Sequence, residues 1–126
     1  MSDYVSKRLR QAIERRAYRR CEYCLCPLDI TTDPLAVEHI VPVIRGGTTA
    51  LENLAFACSG CNGHKYDKQE GYDPVSEQMA SLYHPRKHLW RDHLAWSEDY
   101  TQMIGLTPTG RATLTALQVN RPAVVN

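Results

Sequence analysis

Val37-Glu38-His39-Ile40-Val41-Pro42, then Arg45-Gly46-Gly47, then Glu52-Asn53-Leu54-Ala55-Phe56-Ala57-Cys58-Ser59-Gly60-Cys61-Asn62-Gly63-His64-Lys65 is the stretch that decides how this chain reads. A carboxylate stands beside a histidine at the end of an apolar run. A Gly-Gly loop follows, and an asparagine precedes a short apolar patch that ends in Cys-x-x-Cys. A second such pair, Cys21-Glu22-Tyr23-Cys24, lies upstream. Two thiolates separated by two residues face one metal across a tight turn, and Gly60 permits that turn in the second pair. The two pairs together predict a four-thiolate zinc site of Cys21, Cys24, Cys58 and Cys61. A redox Cys-x-x-Cys sits singly in a βαβ setting, and two copies in a short chain speak against it. Cys26 is left over. Its spacing from Cys21 also suits zinc, so it competes with Cys24 for the fourth position; Cys24 is preferred because its spacing copies the second pair, which leaves Cys26 as a small buried residue.

Around that staple stand Glu38, His39, Asn53, Asn62 and His64. A lone histidine near a strand end is more often structural than catalytic, but the adjoining carboxylate and the amides downstream alter the balance. Hydrolysis near neutral pH calls for a base that is uncharged there, and histidine qualifies without special tuning. Carboxylate and amide oxygens suit Mg²⁺. Neighbours on a regular strand point to opposite faces, so Glu38 and His39 share one site only where the strand ends or bends. Pro42 and the Gly-Gly loop supply the occasion.

Outward from this centre, residues 6–20 read as a helix. Ser6 caps its start, and Leu9, Ala12, Ile13 and Ala17 form a narrow apolar stripe. Arginines fill the other faces, offering planar guanidinium groups that match phosphate geometry; Arg15, Arg16, Arg19 and Arg20 are the nucleic-acid-binding candidates there. Residues 27–34 read as a loop, residues 35–41 as a strand stopped by Pro42, residues 51–56 as a second strand or a single turn, and residues 59 to about 69 as a helix. Further on, Gly71-Tyr72-Asp73-Pro74 reads as a turn. Residues 94–96 and 102–106 read as a hairpin, and Thr107-Pro108 as the start of a short amphipathic helix. His84, His88 and His93 lack a carboxylate motif and read as surface or core residues.

At 126 residues the chain fits one domain spanning 1–126: a core at 21–66, a basic helix at 6–20 and an accessory segment at 70–126. The net charge of +1 hides an imbalance, with +5 on the first twenty residues and −4 on the rest. A basic arm on a mildly acidic body is a footprint of nucleic-acid binding; the alternative is a solvated helix face. No apolar run is long enough for a bilayer and no secretory signal opens the chain, so a cytoplasmic protein with no membrane partner is expected. Five cysteines there point to metal rather than to disulfides.

The segment from Cys21 to about Lys65 resembles the HNH endonuclease family. The resemblance rests on the Cys-x-x-Cys pairs, Glu-His-Ile-Val-Pro, Arg-Gly-Gly, Asn-Leu and Cys-x-x-Cys-Asn-x-x-Lys, in that order. It implies an α+β fold with a ββα-metal (His-Me finger) core and a four-Cys zinc clamp, to which the residue patterns add the N-terminal basic helix and a C-terminal hairpin plus helix. His39 then matches the general base, and Asn53 the asparagine that holds the inter-strand loop. Glu38 matches the carboxylate ligand of a catalytic Mg²⁺ or Mn²⁺. The position after the second thiol pair is Asn62, which makes the site HNN-like; either Asn62 or His64 is the remaining ligand. Lys65 and Arg45 match basic positions near the substrate phosphate. The implied activity is metal-dependent cleavage of DNA with weak sequence preference, RNA remaining open as a substrate. The competing reading is a non-catalytic zinc ribbon that binds nucleic acid.

Overall fold

The structure, a computed structural model, describes residues 4–27 and 35–121. The expected 27–34 loop therefore falls almost wholly outside the described residues. Helix α1 (Lys7–Arg16) begins at Ser6, whose hydroxyl accepts the Leu9 N–H at 3.1 Å. Ile13 and Ala17 are buried, with Leu9 packed beside them. The helix stops four residues short of the expected Arg20. Tyr18 and Arg19 take φ of 55° and 56°, and this left-handed step turns the chain back so that Cys21 enters the core.

Strand β1 (Leu35–His39) pairs antiparallel with β2 (Leu54–Cys58), from Leu35 opposite Cys58 to His39 opposite Leu54. β1 ends two residues before the expected Val41. The ambiguous 51–56 segment is both things at once: a 3-10 turn at Leu51–Asn53, then β2. β2 is buried at every position, which its Leu-Ala-Phe-Ala-Cys composition allows. Helix α2 (Ser59–Lys65) follows directly and ends at Tyr66, φ 49°, rather than near Gln69.

Downstream, β3 (Glu70–Asp73) and β4 (Gln78–Ser81) form a hairpin, which corrects the expectation of a turn at 71–74; the turn lies after Asp73. A short α3 (Trp90–His93) leads into the hairpin of β5 (Leu94–Trp96) and β6 (Met103–Gly105), close to the expected bounds. Helix α4 (Pro108–Leu117) is capped by the Thr107 hydroxyl and starts with proline. It packs on β3, β4, β6 and α2. Side chains join this half to the first thiol turn: the Trp90 indole N–H donates to the Tyr23 carbonyl at 2.9 Å, Arg86 is ion-paired with Glu22, and the Tyr83 ring meets Tyr23 edge-on. Buried side chains from Ile13 to Val119 form one continuous core. Among the described residues no helix is long and apolar enough to cross a membrane.

Candidate metal centre and hydrolytic cleft

The Sγ atoms of Cys21, Cys24, Cys58 and Cys61 lie within 4.8 Å of one another, and all four residues are buried. Zinc–sulfur bonds of about 2.3 Å in a tetrahedron put sulfurs about 3.8 Å apart, and Cys24 and Cys58 Sγ are 3.8 Å apart. The donor set and its spacing therefore fit a tetrahedral ion. In each pair the backbone bends so that the second cysteine's N–H points at the first sulfur, at 3.5 Å for Cys24 to Cys21 and 3.4 Å for Cys61 to Cys58. Cys26 is not in the set; its carbonyl accepts the Cys21 N–H at 2.9 Å and closes the first turn. Arg121, which no sequence signal marked, donates to Cys58 Sγ at 3.1 Å and to Cys61 Sγ at 3.5 Å.

The loop between β1 and β2 is clasped by Asn53. Its amide nitrogen donates to the carbonyls of Val41 (3.0 Å) and Thr48 (2.8 Å), and its oxygen accepts the Val41 N–H at 2.9 Å. Gly47 lies so close to this clasp that a Cβ there would meet the Val41 carbonyl oxygen at 1.7 Å and the Asn53 amide at 2.8 Å. The Arg45-Gly46-Gly47 run thus belongs to the architecture of the loop. His39, the last residue of β1, is partly exposed, and its Nε2 is 2.9 Å from the Thr49 hydroxyl. Thr49 is a site residue that the sequence reading missed, because only the fold of the loop brings it back to the strand end.

His39, Asn62, Glu38, Pro42, Val43 and Tyr66 border one cleft of about 230 Å³. Asn62 lies in α2, one residue past Cys61, and among the described residues its side chain makes no hydrogen bond. His64 does not border this cleft.

Glu38 is engaged elsewhere. One carboxylate oxygen accepts the Tyr23 hydroxyl; the other is 3.2 Å from Lys65 Nζ, and both side chains of the ion pair are 2% exposed. Burial pushes the Glu38 carboxyl above its ordinary range, with Lys65 and Tyr23 pulling it partly back. Lys65 also donates to the Ile40 carbonyl at 2.8 Å. Its expected place near a substrate phosphate is therefore corrected: the ammonium is in the core, spent on Glu38 and on the backbone that follows His39.

The basic residues divide in the same way. Arg16, expected to face outward, donates to the carbonyl of Leu51 at 2.9 Å and to that of Leu54, tying α1 to the start of β2. Arg15, Arg19 and Arg20 are exposed, Arg19 lying 3.7 Å from Glu14. Arg45 is exposed, with its Nε donating to the Asp67 carbonyl at 2.8 Å. His84, His88 and His93 bond locally, His84 and His88 to backbone N–H groups and His93 to the Thr107 hydroxyl.

Compared with known proteins, residues 21–68 match the family model described as HNH endonuclease. The match begins at the first metal-site cysteine and ends three residues beyond Lys65, so it contains both thiol turns and the whole cleft. No curated protein and no solved structure matches the chain.

Proposed function

We propose, from the premise that residues 21–68 are of the HNH endonuclease family, that this chain hydrolyses phosphodiester bonds of nucleic acid, DNA in the first instance. The observation that carries the reading is the convergence of His39 and Asn62 on one cleft, beside a loop that Asn53 clasps.

The imidazole is the base. In the tautomer that carries its proton on Nε2, the ring donates to the Thr49 hydroxyl 2.9 Å away and leaves the Nδ1 lone pair to take a proton from the attacking water. Asn53 acts at one remove, by fixing the loop that carries Thr49. A hard divalent cation, Mg²⁺ or Mn²⁺, finds oxygen donors of the right kind in Asn62 and Glu38, and when bound it supplies neutralisation of charge on the phosphate. Asn62 offers its amide oxygen directly. Glu38 shares its carboxylate with Lys65, which lowers its readiness as a ligand and places more of the task on Asn62. The four sulfurs hold zinc as a structural ion that fixes α2, and so Asn62, relative to β1. Arg45, with the exposed Arg15, Arg19 and Arg20, grips the phosphate backbone, which gives salt-sensitive affinity and weak base preference.

A supercoiled plasmid incubated with the protein in Mg²⁺, Mn²⁺, Zn²⁺ or chelator tests this. Nicked or linear product in Mg²⁺ or Mn²⁺ is the expected outcome. Tight DNA binding without product in any metal would instead assign the chain to non-catalytic zinc ribbons.

A further inference from the structure

The guanidinium of Arg121 bridges the end of α4 and the sulfur cluster. Nη1 donates to the carbonyls of Leu117 (3.3 Å) and Gln118 (3.1 Å), and Nη2 reaches Cys58 and Cys61 Sγ. The route is specific. Gln118 adopts φ 49°, ending the helix and reversing the chain, and Val119 is buried at 1% exposure, which directs the following residues back toward α2. The guanidinium passes directly over residue 60: a Cβ there would stand 2.4 Å from Nη2 and 2.7 Å from Cζ, so a side chain at that position must push the fork away from where it now lies.

Four thiolates around a divalent ion carry a net charge of −2, and these four residues are no more than 1% exposed. Uncompensated charge at such a site is costly. The two backbone N–H groups already described reach Cys21 and Cys58 only. Arg121 brings a full positive charge, a second donor to Cys58 and a donor to Cys61. Groups that hydrogen-bond to metal ligands fix them and tune the ion, and their loss commonly weakens binding about 10–100-fold.

We propose that Arg121 is a positioning residue of the metal centre: it partly neutralises the thiolate cluster and latches the segment after α4 onto it, so that zinc retention depends on a side chain outside the matched 21–68 stretch. The proposal rests on the zinc reading of the four cysteines and is independent of nuclease activity.

The test is competition for zinc between the full chain and a chromophoric chelator, after zinc content has been measured in the parent. Arg121→Met and Gly60→Ala approach the same contact from its two sides. Both are expected to lower zinc affinity about tenfold or more, while Arg121→Lys, which keeps the charge but loses the fork, falls between. Gly60→Ala keeps the arginine, so it remains informative should Arg121→Met fold poorly. Parent-like zinc affinity in either Arg121→Met or Gly60→Ala overturns the proposal. A parent that binds no zinc removes the metal reading itself, and the two failures are told apart by that first measurement.

Discussion

Asn53 spends all its side-chain hydrogen bonds on main-chain atoms of residues 41 and 48, so the shape of the loop over His39 depends on one neutral amide. Asn53→Ala should take the amide away from the half-buried Val41 carbonyl and N–H and from the exposed Thr48 carbonyl, and cost about 1 kcal/mol in denaturant unfolding. Asn53→Asp should not rescue it, since a carboxylate cannot donate to the Val41 and Thr48 oxygens. A parent-like midpoint in Asn53→Ala would show that the clasp is dispensable. Asp73 sets a pH limit. Arg111's paired bonds hold its carboxyl well below the usual range against the opposing effect of burial, helped by the Ser76 hydroxyl and the Val75 N–H. A depressed carboxylate stabilises the fold fully above its unfolded value of about 4 and loses that contribution as pH falls further toward the folded value. Thermal stability should therefore decline below about pH 4, with a shallower decline in Asp73→Asn; equal slopes would contradict the assignment. Among these residues, the convergence of the cysteine pairs was legible because residue type and spacing dictate it, and His39 was legible in its place at the strand end. Thr49, Tyr23 and Arg121 were not, since each acquires its partner only through folding.

At the level of elements, α1 is less a basic arm than a docked helix with one basic face. The stripe of Leu9, Ile13 and Ala17 was readable from its period, but the inward use of Arg16 was not, because a guanidinium on a long stem reaches past its own helix face. Arg16→Ala should lower unfolding free energy by about 1–2 kcal/mol, since it loses charge-assisted bonds to two carbonyls. Arg15→Ala should leave stability unchanged and flatten the salt dependence of DNA binding by about one unit if it contacts a phosphate. The reverse pattern would mean that the inner and outer faces have been exchanged. β1 and the thiol turn opening α2 were visible in sequence because hydrophobic run, Pro42 and Cys-x-x-Cys agree, whereas residues 51–56 read equally as strand or turn and only the pairing with β1 makes β2 a strand. The β3–β4 hairpin was hidden. Glu-Gly-Tyr-Asp has little intrinsic strand preference, and the strand is held from outside: Gly71 lies so close to α4 that a Cβ would be 2.4 Å from the Ala112 carbonyl, and Asp73 is clamped by Arg111.

Across the whole molecule, a modest chain places its four sulfurs where the N-terminal turn, β2 and α2 meet, and ties the C-terminal half to the same point through Trp90, Arg86 and Arg121. Metal removal should therefore loosen every part at once rather than one loop. Cys58→Ser and chelator treatment are expected to lower the melting temperature sharply and together, whereas Cys26→Ser, outside the sulfur set, should retain zinc. The hydrolytic reading depends on that frame holding His39 and Asn62 to one cleft. Its most direct test is single-turnover cleavage of saturating DNA by zinc-loaded parent and His39→Ala in Mg²⁺, with DNA affinity and zinc content measured on the same samples. Unchanged zinc and affinity with a cleavage rate reduced about 100-fold or more are expected; cleavage at the parent rate would remove His39 from the role of base.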